Sequence, residues 1–307
     1  MAKCWPCAPA PGCSHILSPI TVVVLTCDEE DNLRPLLESV FGWVDEIFIV
    51  DSGSTDGTLA IAEEFGTNVF PHDFTTHQAQ WKWAVANLPI ETDWVLGLDA
   101  DQRITPELRR ELKKMFPEGT QGPAGVNGLY INRRQVFRGK WIKHGTYYPK
   151  YLLKLFRRDS VRFDELDLID HHFHVDGPTE KLQNDLIEDN AKERDISFWV
   201  SKHVRYAGRV AEEEFLRRQE GHFGVEPKLF GNPDQRTAWF KRSWYRLPLY
   251  VRPFLYFGYR YFVRLGFLDG RQGLVFHFLH GLWYRLMIDV HLDDMLSGKT
   301  AGEGGPA

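Results

Sequence analysis

The chain has no cysteine beyond Cys27, so its body is not braced by disulfides, which fits a reducing cytosol. Cys4, Cys7, Cys13 and His15 have the residue types of a zinc knot, but no second Cys-x-x-Cys closes a finger, and a leader of Pro and Ala cannot form a core. Residues 1–18 therefore read as a disordered leader. The leader lacks the uninterrupted apolar stretch and positive flank of a secretory signal. No apolar run approaches the roughly 18–20 uncharged residues of a spanning helix. A basic excess is missing too: 37 Lys and Arg face 42 Asp and Glu, for a net charge of −5, which argues against a nucleic-acid partner. There is no internal repeat. What remains, 43% hydrophobic and 26% charged over 307 residues, suits one large domain or a domain with an appendage.

From Ile20 the pattern becomes regular. Ile20 to Thr26 is a β-branched run suited to a buried strand, and it stops at Cys27-Asp28-Glu29-Glu30. Leu33, Leu36, Leu37 and Val40 recur at helical spacing, with Asn32 as a candidate N-cap. Glu46 to Val50 is a second buried strand ending at Asp51, followed by the polar turn 52–58 and a helix from Leu59 to Phe65. Asn68 to Phe70 is a short third strand, Ala79 to Asn87 a helix, and Trp94 to Leu98 a fourth strand ending at Asp99. Such alternation predicts right-handed βαβ units on a parallel sheet.

Ligands of such sheets sit beyond the carboxyl ends of the strands. Acids fall there three times: Asp28 to Glu30, Asp51, and Asp99 with Asp101. Carboxylates gathered at one edge call for a cation. Asp99-Ala100-Asp101 directly follows an apolar strand, and in a turn two carboxylates at that spacing can face one ion. Mg²⁺ or Mn²⁺ takes such hard oxygens together with substrate phosphates.

At these residues the chain resembles the family 2 glycosyltransferases of the GT-A fold. The matching pieces are Val22 to Glu30, Val50 to Thr58 and Trp94 to Asp101, in the family's order and spacing. Through Lys154-Leu155-Phe156-Arg157-Arg158, and again at Gly266 to Arg271, the similarity is to the bacterial branch that builds lipopolysaccharide cores and exopolysaccharides. The resemblance implies an α/β GT-A domain, Rossmann-like and nucleotide-sugar-binding, over residues 19–235. It implies a nucleoside-diphosphate sugar as donor and inversion at the anomeric carbon. Glu29 or Glu30 and Asp51 would contact the nucleoside; Asp99 and Asp101 would hold ribose and metal, with Asp101 the firmer ligand. It further implies a lipid-linked glycan acceptor at the cytoplasmic face of the inner membrane. A rival reading is a non-catalytic, membrane-tethered subunit that binds nucleotide sugar.

The acceptor hydroxyl needs a general base. The stretch Asp164 to Asp176 is the reservoir, and where relatives place His-Glu this chain has Asp170-His171-His172. Asp170 is the first candidate, then His171 or His172. Arg157 and Arg158 follow an apolar strand and could fork onto a diphosphate. Lys82 reads as a surface lysine and Asp56 as a helix N-cap.

Residues 236–296 form an aromatic tail, and in its stretch from Arg242 to Val290 the interrupting Arg246, Arg252, Arg260, Arg264, Arg271 and Arg285 are set against only Asp269 and Asp289. Arginine among aromatics on helical pieces suggests a helical extension lying in a headgroup plane, its arginines on anionic lipid. The alternative is an extra helical layer packed on the GT-A domain. Residues 297–307 read as a disordered tail.

Overall fold

The computed structural model describes residues 17–168 and 172–298. The leader cysteines, Asp170, His171 and the end of the tail lie outside the described residues. The first half runs β1 (Ser18–Thr26), α1 (Glu30–Val40), β2 (Val44–Asp51), α2 (Thr58–Glu64), β3 (Asn68–Pro71), α3 (His77–Asn87), β4 (Trp94–Asp99), β5 (Gln102–Ile104) and α4 (Pro106–Met115). Then come β6 (Gly128–Phe137), β7 (Lys140–Trp141), β8 (Tyr151–Arg157), β9 (Val161–Arg162), β10 (His174–Val175) and β11 (Thr179–Glu188). The chain continues in helices: α5 (Ile196–Glu220), α6 (Pro233–Trp244), α7 (Arg252–Gly258), α8 (Gly270–Phe276) and α9 (Tyr284–Leu296).

The main sheet has nine strands in the order β3-β2-β1-β4-β8-β6-β11-β5, with β7 paired to β6. β3, β2, β1 and β4 are parallel, as the alternation of strand and helix requires. β8 turns against β4, and the far half is mixed. Both faces of β1 are covered, which is why its apolar run is continuous: Val22 and Val24 pack with Leu33, Leu37 and Leu108 on one side, and Val23 packs with Trp81 on the other.

Asn32 does not cap α1. The helix begins two residues earlier, and the buried Asn32 amide instead donates to Glu29 Oε2 (2.7 Å) and accepts from the backbone N–H of Ala191 (2.8 Å). It ties the first βα turn to the chain after β11.

The C-terminal helices pack along one side of this domain. α9 lies on α5 through Ala207, Ala211, Ile288 and Leu292. Phe276 joins Phe137, Tyr147 and Trp199 in another buried cluster. A division between residues 235 and 236 falls inside the first turn of α6. The arginines are not all outside, as the sequence suggested. Arg252 is fully buried against Glu214 and Asp289, and Arg260 donates to the Gly145 carbonyl (2.5 Å) and lies over the Tyr147 ring. Burial of the surrounding aromatics is what draws them in, since a guanidinium stacks on a ring and pairs with a buried carboxylate at once. Arg246, Arg264 and Arg271 remain exposed. Among the described residues no helix is long and apolar enough to cross a membrane.

Candidate active site

The strand β4 ends at Asp99, and the chain must then cross to β5, which pairs antiparallel with β11. That crossing is the Asp99-Ala100-Asp101 turn. The register sets Gln102 opposite Glu188, the last residue of β11, so a strand distant in sequence brings a third carboxylate beside the first two. All three line a cleft of about 370 Å³.

Asp99 Oδ2 accepts from Lys154 Nζ (2.8 Å) and Gln102 Nε2 (2.7 Å). Gln102 also donates to Glu188 (2.9 Å), and Arg133 closes on Glu188 at 2.9 and 3.1 Å. Asp101 Oδ2 accepts from Asn190 Nδ2 at 3.2 Å. Its carboxyl is held well above the usual range, first by burial and then by the charges of Glu188 and Asp99. A site whose protein groups favour a proton on one acid holds surplus negative charge. The donor set is hard oxygen, and the surplus fits a divalent cation bound by one or two carboxylates plus substrate phosphates. Among the described residues no group of three or more His, Cys, Asp or Glu forms a closed metal cage.

Cations line the same cleft. Besides Arg133 and Lys154 they are Lys150, Lys192, Lys202 and Arg205. Lys192 pairs with Glu29 (3.1 Å) and Lys202 with Glu193 (2.7 Å). Burial works against the charge on Lys202, but Glu193, Tyr206 and Asp101 outweigh it and raise its pKa. Phe198, Lys202, Arg205 and Tyr206 recur along α5 at helical spacing, so that helix supplies one wall of the cleft.

The expected residues divide into two groups. Glu29, Asp99, Asp101 and His172 come together in the cleft. His172 Nδ1 stands 3.3 Å from Asp167 Oδ2. Burial would raise the Asp167 carboxyl, but the hydrogen bond and charge of His172, with Lys241 and Arg217, lower it to about 2. Asp170 and His171, adjacent in the chain, lie outside the described residues.

Asp51 is buried and committed to its own turn. Its oxygens accept from Thr26 Oγ1 (2.7 Å), Ser54 Oγ (2.5 Å) and the backbone N–H groups of Gly53 and Ser54 (3.0 and 2.8 Å). Glu30 is exposed and accepts from the Gly57 N–H (2.8 Å). Asp56 is not the N-cap of α2, which is Gly57; one residue before it, Asp56 accepts from Thr58 and from the Glu30 N–H and so ties the turn to the start of α1. Lys82 pairs with Glu165 on the surface.

Arg157 and Arg158 were expected near a diphosphate. Because β8 runs antiparallel to β4, Arg157 is level with Trp94, the start of β4, at the edge opposite Asp99. There Arg157 stacks over Trp94 and donates to the Val126 carbonyl, while Arg158 donates to the Ile90 carbonyl (2.8 Å). A diphosphate contact by this pair has no support in the geometry.

Glu188, Lys154, Asn190, Lys192, Lys202 and Asp234 were not anticipated. Only Glu188 had a signal: Leu-Ile-Glu-Asp-Asn is one more apolar strand ending in acids. Asp234, from the first turn of α6, reaches the cleft with Oδ2 held by the Tyr130 hydroxyl (2.8 Å) and His174 Nδ1 at 3.4 Å.

Residues 21–175 match the model of glycosyl transferase family 2. The chain belongs to this family. Among its relatives is an uncharacterized glycosyltransferase of Rickettsia felis, 34% identical over 102 residues, which cover 33% of this chain and 35% of that one. Another is the lipopolysaccharide core biosynthesis glycosyltransferase LpsC of Rhizobium meliloti, 28% identical over 153 residues, or 48% and 53% of the two chains. The chain thus spans about a third to a half of the length of these curated relatives. Glucosyl-3-phosphoglycerate synthase from Mycobacterium tuberculosis, solved with Mn²⁺ and UDP-glucose, is 24% identical over 38% of this chain and 44% of its own, with a TM-score of 0.31. A likeness that slight carries nothing about substrate or metal. This member of the family has the α/β GT-A architecture with a C-terminal helical region. The matched segment holds Glu29, Asp99 and Asp101, whereas Glu188, Lys202 and Asp234 come from beyond it, so much of the cleft's far wall lies outside the family's common part.

Proposed function

We propose that this glycosyltransferase moves a sugar, with inversion, from a nucleoside-diphosphate sugar to an acceptor hydroxyl, using Mg²⁺ or Mn²⁺, in the synthesis of a cell-surface polysaccharide. The carrying observation is the convergence of Asp99, Asp101 and Glu188 with Lys154, Lys192 and Lys202 in one cleft at the carboxyl edge of the parallel strands. The name of the LpsC relative supports the polysaccharide class.

Asp101, with Asp99 beside it, would hold the cation. When bound, the cation supplies positive charge against the diphosphate that forms as the glycosidic bond breaks. Lys154 and Lys192 keep the neighbouring carboxylates paired and add fixed positive charge to the same wall. Glu29 lies beyond the end of β1, at the start of α1, where it can accept from nucleoside hydroxyls. His172 is the described group in the cleft suited to take the acceptor's proton. With Nδ1 turned to Asp167, Nε2 would be the nitrogen that takes the proton. A base in the cleft favours catalysis over a subunit that only binds.

The acceptor we propose is a lipid-linked glycan at the cytoplasmic face of the inner membrane, met through the C-terminal helices. Phe254, Leu255, Phe262, Val263, Leu268 and Phe278 are exposed there, well beyond scattered single residues. The inner side of the same helices completes the buried clusters around Trp199 and Ile288, so truncation would unroof the core, and substitution is the better test.

Turnover of nucleotide sugars with Mn²⁺, screened first by thermal shift, is compared with Asp101→Ala. Transfer that survives in the variant would refute the metal role. For the membrane, Phe262→Ser/Val263→Ser is expected to leave phosphatidylcholine vesicles in a flotation assay. Equal flotation of both proteins would remove the membrane from the proposal.

A further inference from the structure

The molecule holds a second cavity, of about 360 Å³, lined by Arg217, Arg218, Arg242 and Arg246 with Phe223 and Tyr245 among its walls and, among the described residues, no acid in its lining. Two of these arginines are accounted for by the fold. Arg217 is buried and donates to Glu213, Asp164 and Asp167. Arg218 gives Nε and Nη2 to Glu214 and leaves Nη1 outside that pair. The other two stand one turn apart at the end of α6 and just beyond it. Both are exposed, and among the described residues neither side chain makes a hydrogen bond or ion pair.

Basic residues in a last helical turn complement the dipole, which explains Arg217 and Arg218 on α5 and Arg242 on α6. It does not explain why two helix ends converge on one concavity, nor Arg246 beyond the end of α6. The acids that balance the cluster sit behind it, buried, so the open side of the cavity is positive. Phe223 and Tyr245 pack at 5.7 Å between ring centroids, and Arg218 lies over Tyr245, which fixes the walls.

We propose that this cavity is a binding site for a phosphate group. Guanidinium groups fork onto tetrahedral oxyanions and do so best from a preformed wall. Its place suggests the source. Arg246 is followed at once by exposed Leu247, Tyr250 and Val251, the beginning of the apolar face laid on a membrane above. A phosphate held by Arg218, Arg242 and Arg246 would then lie at headgroup depth, and it would fix how the protein sits on the surface. The lipid source rests on the membrane reading; the phosphate chemistry does not.

The test uses the full chain, Arg242→Gln/Arg246→Gln, and Phe262→Ser/Val263→Ser. Binding is measured to phosphatidylcholine vesicles with and without phosphatidylglycerol, and to inorganic phosphate by ³¹P line broadening. The arginine variant is expected to lose about 10- to 30-fold in affinity for the phosphatidylglycerol vesicles, from two basic contacts. Its binding to phosphatidylcholine alone should fall much less, because the choline charge offsets that lipid's phosphate, and its melting temperature should be unchanged, because both side chains are exposed. Loss of inorganic-phosphate broadening with unchanged vesicle binding would support the site with a soluble phosphate as its ligand. If neither probe distinguishes the arginine variant from the parent, the proposal is overturned. Should Phe262→Ser/Val263→Ser float like the parent while the arginines still govern phosphate binding, only the membrane reading falls.

Discussion

At the scale of single residues, two strand-end carboxylates that look alike in sequence have opposite roles in the fold. Asp51 accepts four hydrogen bonds inside one buried turn. Asp51→Asn replaces an acceptor oxygen with an amide that cannot accept from those N–H groups. It should cost about 1–3 kcal/mol, seen as a lower urea midpoint with an unchanged slope. Any effect on donor binding would come through the 52–55 turn. Asp101 is the reverse: burial and two neighbouring carboxylates already disfavour its charge. Asp101→Asn should therefore leave the midpoint unchanged or raise it, while kcat/KM with Mn²⁺ falls by about 10²–10³. A variant that both unfolds and loses activity would mean that Asp101 is structural.

At the scale of elements, β4 shows how tightly the site is seated. Gly97 lies under the Phe173 ring, and a Cβ there would stand 2.6 and 2.7 Å from two ring atoms and 3.1 Å from Trp81. Gly97→Ala should cost about 1–3 kcal/mol through overpacking. Because Phe173 adjoins His172, the shift should also lower kcat, read in steady-state kinetics against a chemical denaturation curve. Normal kcat with lowered stability would separate the two. The strands themselves were legible, because β-branched runs and the acids that end them are local signals. The far wall was not. Glu188 arrives through the pairing of β11 with β5, and Lys202 and Tyr206 through the face of α5, and neither pairing has a local signature. Arg157 misled because direction within a sheet is not written in a strand's composition: an antiparallel β8 carries its last residues away from the edge that β4 carries its last residues toward. In the tail, arginines among aromatics look the same whether they face headgroups or a buried carboxylate. Arg252 is settled only by Glu214 and Asp289, which come from two other helices.

For the whole molecule, the joint between the GT-A domain and the C-terminal helices should make stability depend on pH. The loop before β8 is fastened to those helices at several points. His144 bonds to Asp269 through its N–H (2.9 Å) and Nδ1 (2.8 Å), the Gly145 N–H donates to the Arg264 carbonyl (2.9 Å), and the Tyr147 hydroxyl meets His280 Nδ1 (2.6 Å). Lys150, at the end of this loop, lines the cleft that holds Asp99 and Asp101. His277 is wedged beside Gly145 and Gly266, 1% exposed, with no hydrogen-bond partner at either ring nitrogen among the described residues. Burial, then Arg260 and His144, push its pKa down to about 4 against an opposing pull from Asp269. Burial lowers His280 in the same direction. Above the ordinary histidine value of 6.5 both rings are neutral in the folded and unfolded chain alike. As pH falls below it, the unfolded chain takes up protons that the folded chain refuses, so stability drops through the window from 6.5 to about 4. The urea midpoint should decline across that window, and transfer should fail with it, since the loop that carries Lys150 is held by the same joint. His277→Leu keeps an apolar side chain in the wedge and removes one of the two protons. It should flatten the decline, while a variant as pH-sensitive as the parent would place the titrating groups elsewhere in the molecule.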